Sequence, residues 1–143
     1  MKKTIYAVID TNGIVASLLA RNSDSATVRV MQALGDGAFC ALYNDEIIAE
    51  YREVLGRDKF KFEDDVASGV VSMVLDNGLY RNGTATADNV IDPKDAVFYE
   101  VALSKEGAYL VTGNTRHFPA QPIVVTPAEM VAILEEMGLI SKL

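Results

Sequence analysis

Little in this chain is available for thiol or imidazole chemistry. It has one cysteine, one histidine and no tryptophan in 143 residues, so a disulfide framework and a cysteine-based zinc site are both excluded. The lone Cys40 sits in the apolar run Ala38-Phe39-Cys40-Ala41-Leu42 and reads as a core filler in a reducing compartment. No apolar run reaches the length that spans a bilayer. The stretch after Lys2-Lys3 is too short, and ends too soon on Asp10, to be a signal peptide. These absences predict a cytoplasmic protein with no membrane partner. Basic residues are also few: thirteen stand against twenty acidic ones, for a formal charge of −7. That balance argues against broad, non-specific attraction to nucleic acid. It leaves room for a nucleic-acid enzyme, because carboxylates gathered around a divalent cation would contribute to it and the cation would reverse the local sign.

Several catalytic schemes are missing as well. There is no P-loop and no dinucleotide-binding glycine pattern, and no Gly-x-Ser-x-Gly elbow for a serine triad. What is present is a chain that is half hydrophobic, without repeats or linkers, which predicts one compact domain over residues 1–143.

Strand-like and helix-like segments alternate to the end, the mark of an α/β layered domain. Thr4 to Ile9 reads as a buried strand of a parallel sheet that stops on Asp10. A helical start follows near Ile14 to Leu19, then the polar break Arg21 to Asp24 and a helix from about Ser25 to Leu34, ended by Gly35 and Gly37. Ala38 to Tyr43 is a second strand. Asn44 is a good N-cap for the helix Asp45 to Leu55, and a further helix runs from about Glu63 to Asp76. Leu79 to Arg81 reads as a short edge strand. Asp92-Pro93-Lys94-Asp95 opens a helix that continues to about Ser104, with proline at its first position and acidic groups at the positive end of its dipole. Ala108 to Val111 and Pro122 to Val125 are further strands. Thr126-Pro127-Ala128-Glu129 is a capping-box pattern for a last helix to about Met137.

Ligands of open α/β sheets sit at the carboxyl ends of the strands, where Asp10 would be delivered. The plain alternative is that Asp10 or Thr11 only caps the next helix. At about 100° per residue, Ile47, Ile48, Tyr51, Val54 and Leu55 form one stripe. Glu46 and Glu53 fall on the solvated side, and Glu50 on the rim, from which it can lean into a cleft or pair with neighbouring arginines. Asp95 lies at the edge of the stripe Val97, Phe98, Val101 and Ala102, while Asp92 is placed to cap. Asp10, Glu50 and Asp95 would suffice for a hard divalent cation such as Mg²⁺ or Mn²⁺, which takes oxygen ligands and leaves positions for water and phosphate. The corresponding reaction is phosphodiester hydrolysis. Arg52, Arg57, Lys59 and Lys61 read as a solvated face that would also suit a phosphate backbone, and Arg116 and His117 are further candidate phosphate or base contacts.

Ile9-Asp10-Thr11-Asn12, Ile48-Ala49-Glu50-Tyr51-Arg52-Glu53-Val54-Leu55, Asp92-Pro93-Lys94-Asp95 and Leu110-Val111-Thr112-Gly113-Asn114 come in the order and approximate spacing of PIN-domain ribonucleases. Over nearly its whole length the chain resembles the PIN-family (VapC-like) toxins of toxin–antitoxin systems. The resemblance implies a three-layer α/β/α sandwich on a mainly parallel sheet, and metal-dependent cleavage of single-stranded RNA with Mg²⁺ or Mn²⁺. It also implies a protein antitoxin and a homodimer as partners. By position, Asp10, Glu50 and Asp95 match the acidic ligands, and Asn12 and Thr112 match supporting polar positions. Asp92 has a counterpart too. Asn114 stands where many members have a fourth aspartate, which leaves a second metal without that charge.

Two other readings stay open. A PIN-like scaffold weakened at Asn114 would serve as an RNA- or protein-binding module. Asp10-Thr11-Asn12-Gly13-Ile14 also resembles the nucleophile loop of haloacid-dehalogenase-type phosphatases, although Asn12 replaces their usual second aspartate.

Overall fold

A computed structural model describes residues 3–85, 90 and 92–143. In chain order the described elements are β1 (Tyr6–Ile9), α1 (Thr11–Leu19), α2 (Ala26–Gly35), β2 (Cys40–Tyr43), α3 (Asp45–Leu55), α4 (Asp64–Asp76), β3 (Gly78–Tyr80), α5 (Pro93–Leu103), β4 (Tyr109–Val111), β5 (Val124–Val125) and α6 (Pro127–Glu136). The five strands form one sheet in the order β3-β2-β1-β4-β5, and all four pairings are parallel. This is the layered α/β plan expected from the alternation and the three-layer α/β/α architecture that the resemblance implies. Successive residues of a strand point to opposite faces, yet Ala7, Val8 and Ile9 are all at most 2 % exposed, so β1 is covered on both sides, as a central parallel strand must be. α5 packs on β1, β2 and β4, while α1 packs on α2, α2 on α6 and α3 on α4.

Apolar periodicity accounts for the core. Ile14, Leu34, Ile47, Leu110 and Leu134 are fully buried, and each such side chain contributes roughly 1.5–3 kcal/mol relative to exposure. Among the described residues no helix is long and apolar enough to cross a membrane. The Asn44 side chain accepts from Ile47 N at 3.0 Å and caps α3. Thr126 and Glu129 complete the capping box of α6, at 3.1 and 2.9 Å.

Several boundaries differ from the sequence reading. β1, β2 and β5 each start two residues later, at Tyr6, Cys40 and Val124. α1 starts at Thr11 directly after β1, three residues before Ile14, because the polar turn is itself the first turn of the helix. The edge strand starts at Gly78, one residue before Leu79. A Cβ there would lie 2.3 Å from the Val74 carbonyl oxygen and 2.7 Å from that of Ala41, so α4 can pass straight into β3 only at a glycine. Cys40 opens β2 half-buried rather than within the core.

The strand order positions the site. From β1 the chain moves outward to β2 and β3, then returns through α5 to β4 on the other side of β1 and on to β5. The crevice at the carboxyl ends of β1 and β4 is therefore the topological switch point, the usual ligand position in such sheets.

Candidate active site

Asp10 and Thr112 are the residues that follow β1 and β4 at this crevice. Both are buried, at 4 % and 0 % exposure. The Asp10 N–H donates to the Val111 carbonyl at 2.9 Å, extending the ladder by one step. The Thr112 hydroxyl then donates to Asp10 Oδ2 at 2.7 Å and accepts from Asn114 N at 3.0 Å. Asp10 occupies the N-cap position of α1, but its side chain makes no cap hydrogen bond among the described residues. Its carboxylate is engaged across the sheet by Thr112, with the N–H groups of Asn12 and Thr11 nearby.

The other two carboxylates arrive on helices. Glu50, half-buried on α3, accepts a hydrogen bond from the hydroxyl of buried Thr11. Asp95, in the first turn of α5, lies with Oδ2 3.5 Å from His117 Nδ1, an ion pair when the imidazole is protonated. Each acid thus has its own companion: Thr112 for Asp10, Thr11 for Glu50, His117 for Asp95. The roles of Thr11 and His117 were not visible in the sequence, since each contact spans elements far apart in the chain.

Electrostatics couples the three. Burial pushes the Asp10 carboxyl above its ordinary value; the Thr112 hydroxyl, the nearby N–H groups of Asn12 and Thr11, and His117 pull the other way. Glu50 is raised first by burial, against the Thr11 hydrogen bond, and further by the charges of Asp10, Asp95 and Glu53. Asp95 is raised by burial and by Asp10 and Asp92, with His117 opposing. An acid raised by burial, beside two that its charge raises further, forms a site that gains from a cation.

The donor set is all oxygen and suits a hard divalent cation. As the side chains stand, however, no three acidic, histidine or cysteine groups among the described residues are grouped to hold a metal ion. Each carboxylate is turned toward its own hydroxyl or imidazole, so gathering them on one ion requires side-chain rotation.

The remaining sequence candidates occupy the surroundings. Asn12 is exposed in the first turn of α1. Asp92 caps α5, accepting from Lys94 N at 2.9 Å. The Asn114 carbonyl accepts from His117 N at 2.9 Å, closing the turn Thr115–His117 on which exposed Arg116 and His117 stand. Arg52 is exposed on α3. Arg57 is paired with Glu53 at 2.8 Å, so one of the four basic residues of that face is already neutralised.

A parallel sheet with a buried aspartate at its switch point, and two further acids close enough to share its electrostatics, defines an α/β protein of the acidic-cleft kind. A PIN-domain family model matches residues 6–116, and the chain belongs to the PIN-domain family. No curated protein and no solved structure matches it. The family is one of nucleases, typically metal-dependent. β5 and α6 lie beyond the matched span, yet β5 pairs with β4 and α6 packs on α2.

Proposed function

We propose that the chain, taken as one PIN-like domain, is a divalent-metal-dependent endoribonuclease that hydrolyses phosphodiester bonds of single-stranded RNA. The observation that carries this reading is the electrostatic proximity of three acids near the carboxyl ends of β1 and β4: Glu50 is raised by the charges of Asp10 and Asp95, and Asp95 by that of Asp10. These three would hold Mg²⁺ or Mn²⁺. When bound, such an ion polarises the phosphate and makes water more acidic. The chain's own contributions are separate. Thr112 holds Asp10 by its Oδ2, Thr11 holds Glu50, and His117 lies beside Asp95, so each acid has its own polar partner in the metal-free protein, a contact it would exchange for the cation. Arg116 and His117, exposed at the rim, would meet the phosphate backbone and position the strand without reading its sequence.

Purified protein incubated with single-stranded RNA and Mn²⁺ or Mg²⁺ is expected to cleave it, and Asp10→Asn is expected not to. Equal cleavage by the two proteins would overturn the reading. As a toxin of a toxin–antitoxin pair, the protein would arrest growth when expressed alone, and co-expression of a neutralising antitoxin would relieve the arrest. Growth indistinguishable from that of an Asp10→Asn strain would remove the toxin role while leaving the nuclease intact. Homodimer formation is checked by sedimentation.

A second reading, a binding module with a weakened site, is favoured by the separation of the carboxylates and the neutral Asn114. Calorimetric titration with Mn²⁺ distinguishes them: a folded protein that binds no Mn²⁺ at millimolar concentration supports the module.

A further inference from the structure

Tyr51 follows Glu50 on α3 and is 1 % exposed. Its neighbours in the apolar stripe need only packing, whereas a phenol at that depth needs an acceptor for its hydroxyl. It donates to the Ile9 carbonyl at 2.5 Å. The strand ladder explains the choice of acceptor. Alternate carbonyls of β1 face β2, and that of Ile5 accepts from Cys40 N at 2.8 Å. By the same alternation the Ile9 carbonyl faces that side. There β2 has ended at Tyr43, and Asn44 has turned away as the N-cap of α3. The Tyr51 hydroxyl takes the place of a strand N–H, satisfying a buried carbonyl that the sheet no longer serves.

The Ile9 carbonyl shares its peptide unit with the Asp10 N–H, which donates to Val111. One peptide plane therefore links α3 next to Glu50, β1 at Asp10 and β4 next to Thr112, and hydrogen bonds in such a chain polarise one another. The ring adds a third tie: it lies 6.3 Å, centroid to centroid, from that of Phe98, on the same helix as Asp95. A single side chain touches or adjoins every element that bears one of the three acids.

We propose that Tyr51 is a positioning residue for the cation site: its hydroxyl anchors the Ile9–Asp10 peptide to α3 and thereby sets the spacing of Asp10 from Glu50. This rests on the assignment of Asp10, Glu50 and Asp95 as cation ligands. Tyr51 touches neither cation nor substrate and acts through the peptide it holds.

Tyr51→Phe removes the hydroxyl and keeps the ring against Phe98. Mn²⁺ binding is measured by calorimetry for the parent, Tyr51→Phe and Asp10→Asn, well below their unfolding temperatures. Tyr51→Phe is expected to bind about tenfold more weakly, the scale on which groups that orient metal ligands act. Its Mn²⁺-induced rise in Tm should be smaller than the parent's, and its Asp10 amide should exchange faster in the metal-free protein. A hydroxyl with a merely structural role would lower Tm equally with and without Mn²⁺ and leave the affinity unchanged. Parent-like Mn²⁺ binding by Tyr51→Phe, with binding lost in Asp10→Asn, overturns the proposal and leaves the ligand assignment standing. A parent that binds no Mn²⁺, or an Asp10→Asn variant that binds it as the parent does, overturns the assignment and this inference with it. Should Tyr51→Phe not fold, Tyr51→4-aminophenylalanine, a weaker donor that keeps the bond, replaces it; a smaller loss of affinity is then expected, and no loss overturns the proposal.

Discussion

Among the helices that begin on a short polar N-cap directly after a strand, α6 and α1 start in different ways. Before α6, Thr126 accepts from Glu129 N, and Glu129 returns a bond to Thr126 N. Glu129 is exposed and Thr126 half-buried, and their bonds close within one turn. Before α1, Asp10 holds the same N-cap position, yet its carboxylate is buried and bonded to Thr112, 102 residues away in the chain. The first start is a local device that water and sequence neighbours fully define. The second carries a desolvated charge beside two further acids, a costly arrangement for a cap. The contrast marks α1's start as a site and α6's start as structure.

The largest effect expected from breaking this contrast is at Asp10. Asp10→Asn should lower RNA cleavage by about two to three orders of magnitude, the scale of losing one charge-stabilising group at a transition state. A steady-state assay with saturating Mn²⁺ checks it.

The same variant should melt higher than the parent when metal is absent, because it removes a charge that burial and its neighbours oppose. The sign follows from the raised carboxyl. An acid whose folded pKa exceeds its unfolded one contributes stability that is present below the unfolded value, 3.8 for aspartate, and is lost as pH rises through the folded one. The Tm advantage of Asp10→Asn should therefore be greatest near neutral pH and shrink toward pH 4. An advantage that grows on acidification would contradict the buried-charge account.

Thr112→Val is next. It removes a donor from Asp10 and an acceptor from Asn114 N, both at a fully buried position, and should cost about 1–3 kcal/mol of stability. Because the lost hydroxyl opposes the upward shift, the Asp10 carboxyl should titrate higher still, as NMR of the carboxyl carbon would report.

At the other start, Thr126→Ala should cost about 1 kcal/mol in chemical denaturation and leave cleavage as it was. A loss of activity there would erase the distinction between the two helix starts. The smallest change belongs to Arg57→Ala, whose exposed pair with Glu53 is worth at most about 1 kcal/mol. A salt-dependent drop in RNA affinity beyond that would restore Arg57 as a backbone contact.

Much of the fold was legible in the residues. Short continuous apolar runs located the strands and period-3.6 stripes the helices within a few residues, because burial of apolar side chains dominates both. Asn44, Asp92 and Thr126 were readable as caps because a cap closes on its own turn. Glu50 and Asp95 could be placed on the rims of apolar stripes. The companions of the acids were another matter. Thr11 looked like a cap, His117 like a surface histidine and Tyr51 like one more apolar side chain. Only the last carried a usable signal: a tyrosine among Ile, Val and Leu in a buried stripe has a hydroxyl that must find an acceptor.

By itself the sequence determined the alternation of elements, the acidic residues at their boundaries and the local caps, since these depend on interactions a few residues long. The tertiary structure alone decided that β4 lies beside β1, which sets Thr112 on Asp10 and makes the switch point. It also decided that β2 ends early enough for Tyr51 to take the Ile9 carbonyl. Those outcomes come from how strands order and how far each one runs, and no local pattern encodes which distant hydroxyl will face a buried carboxylate.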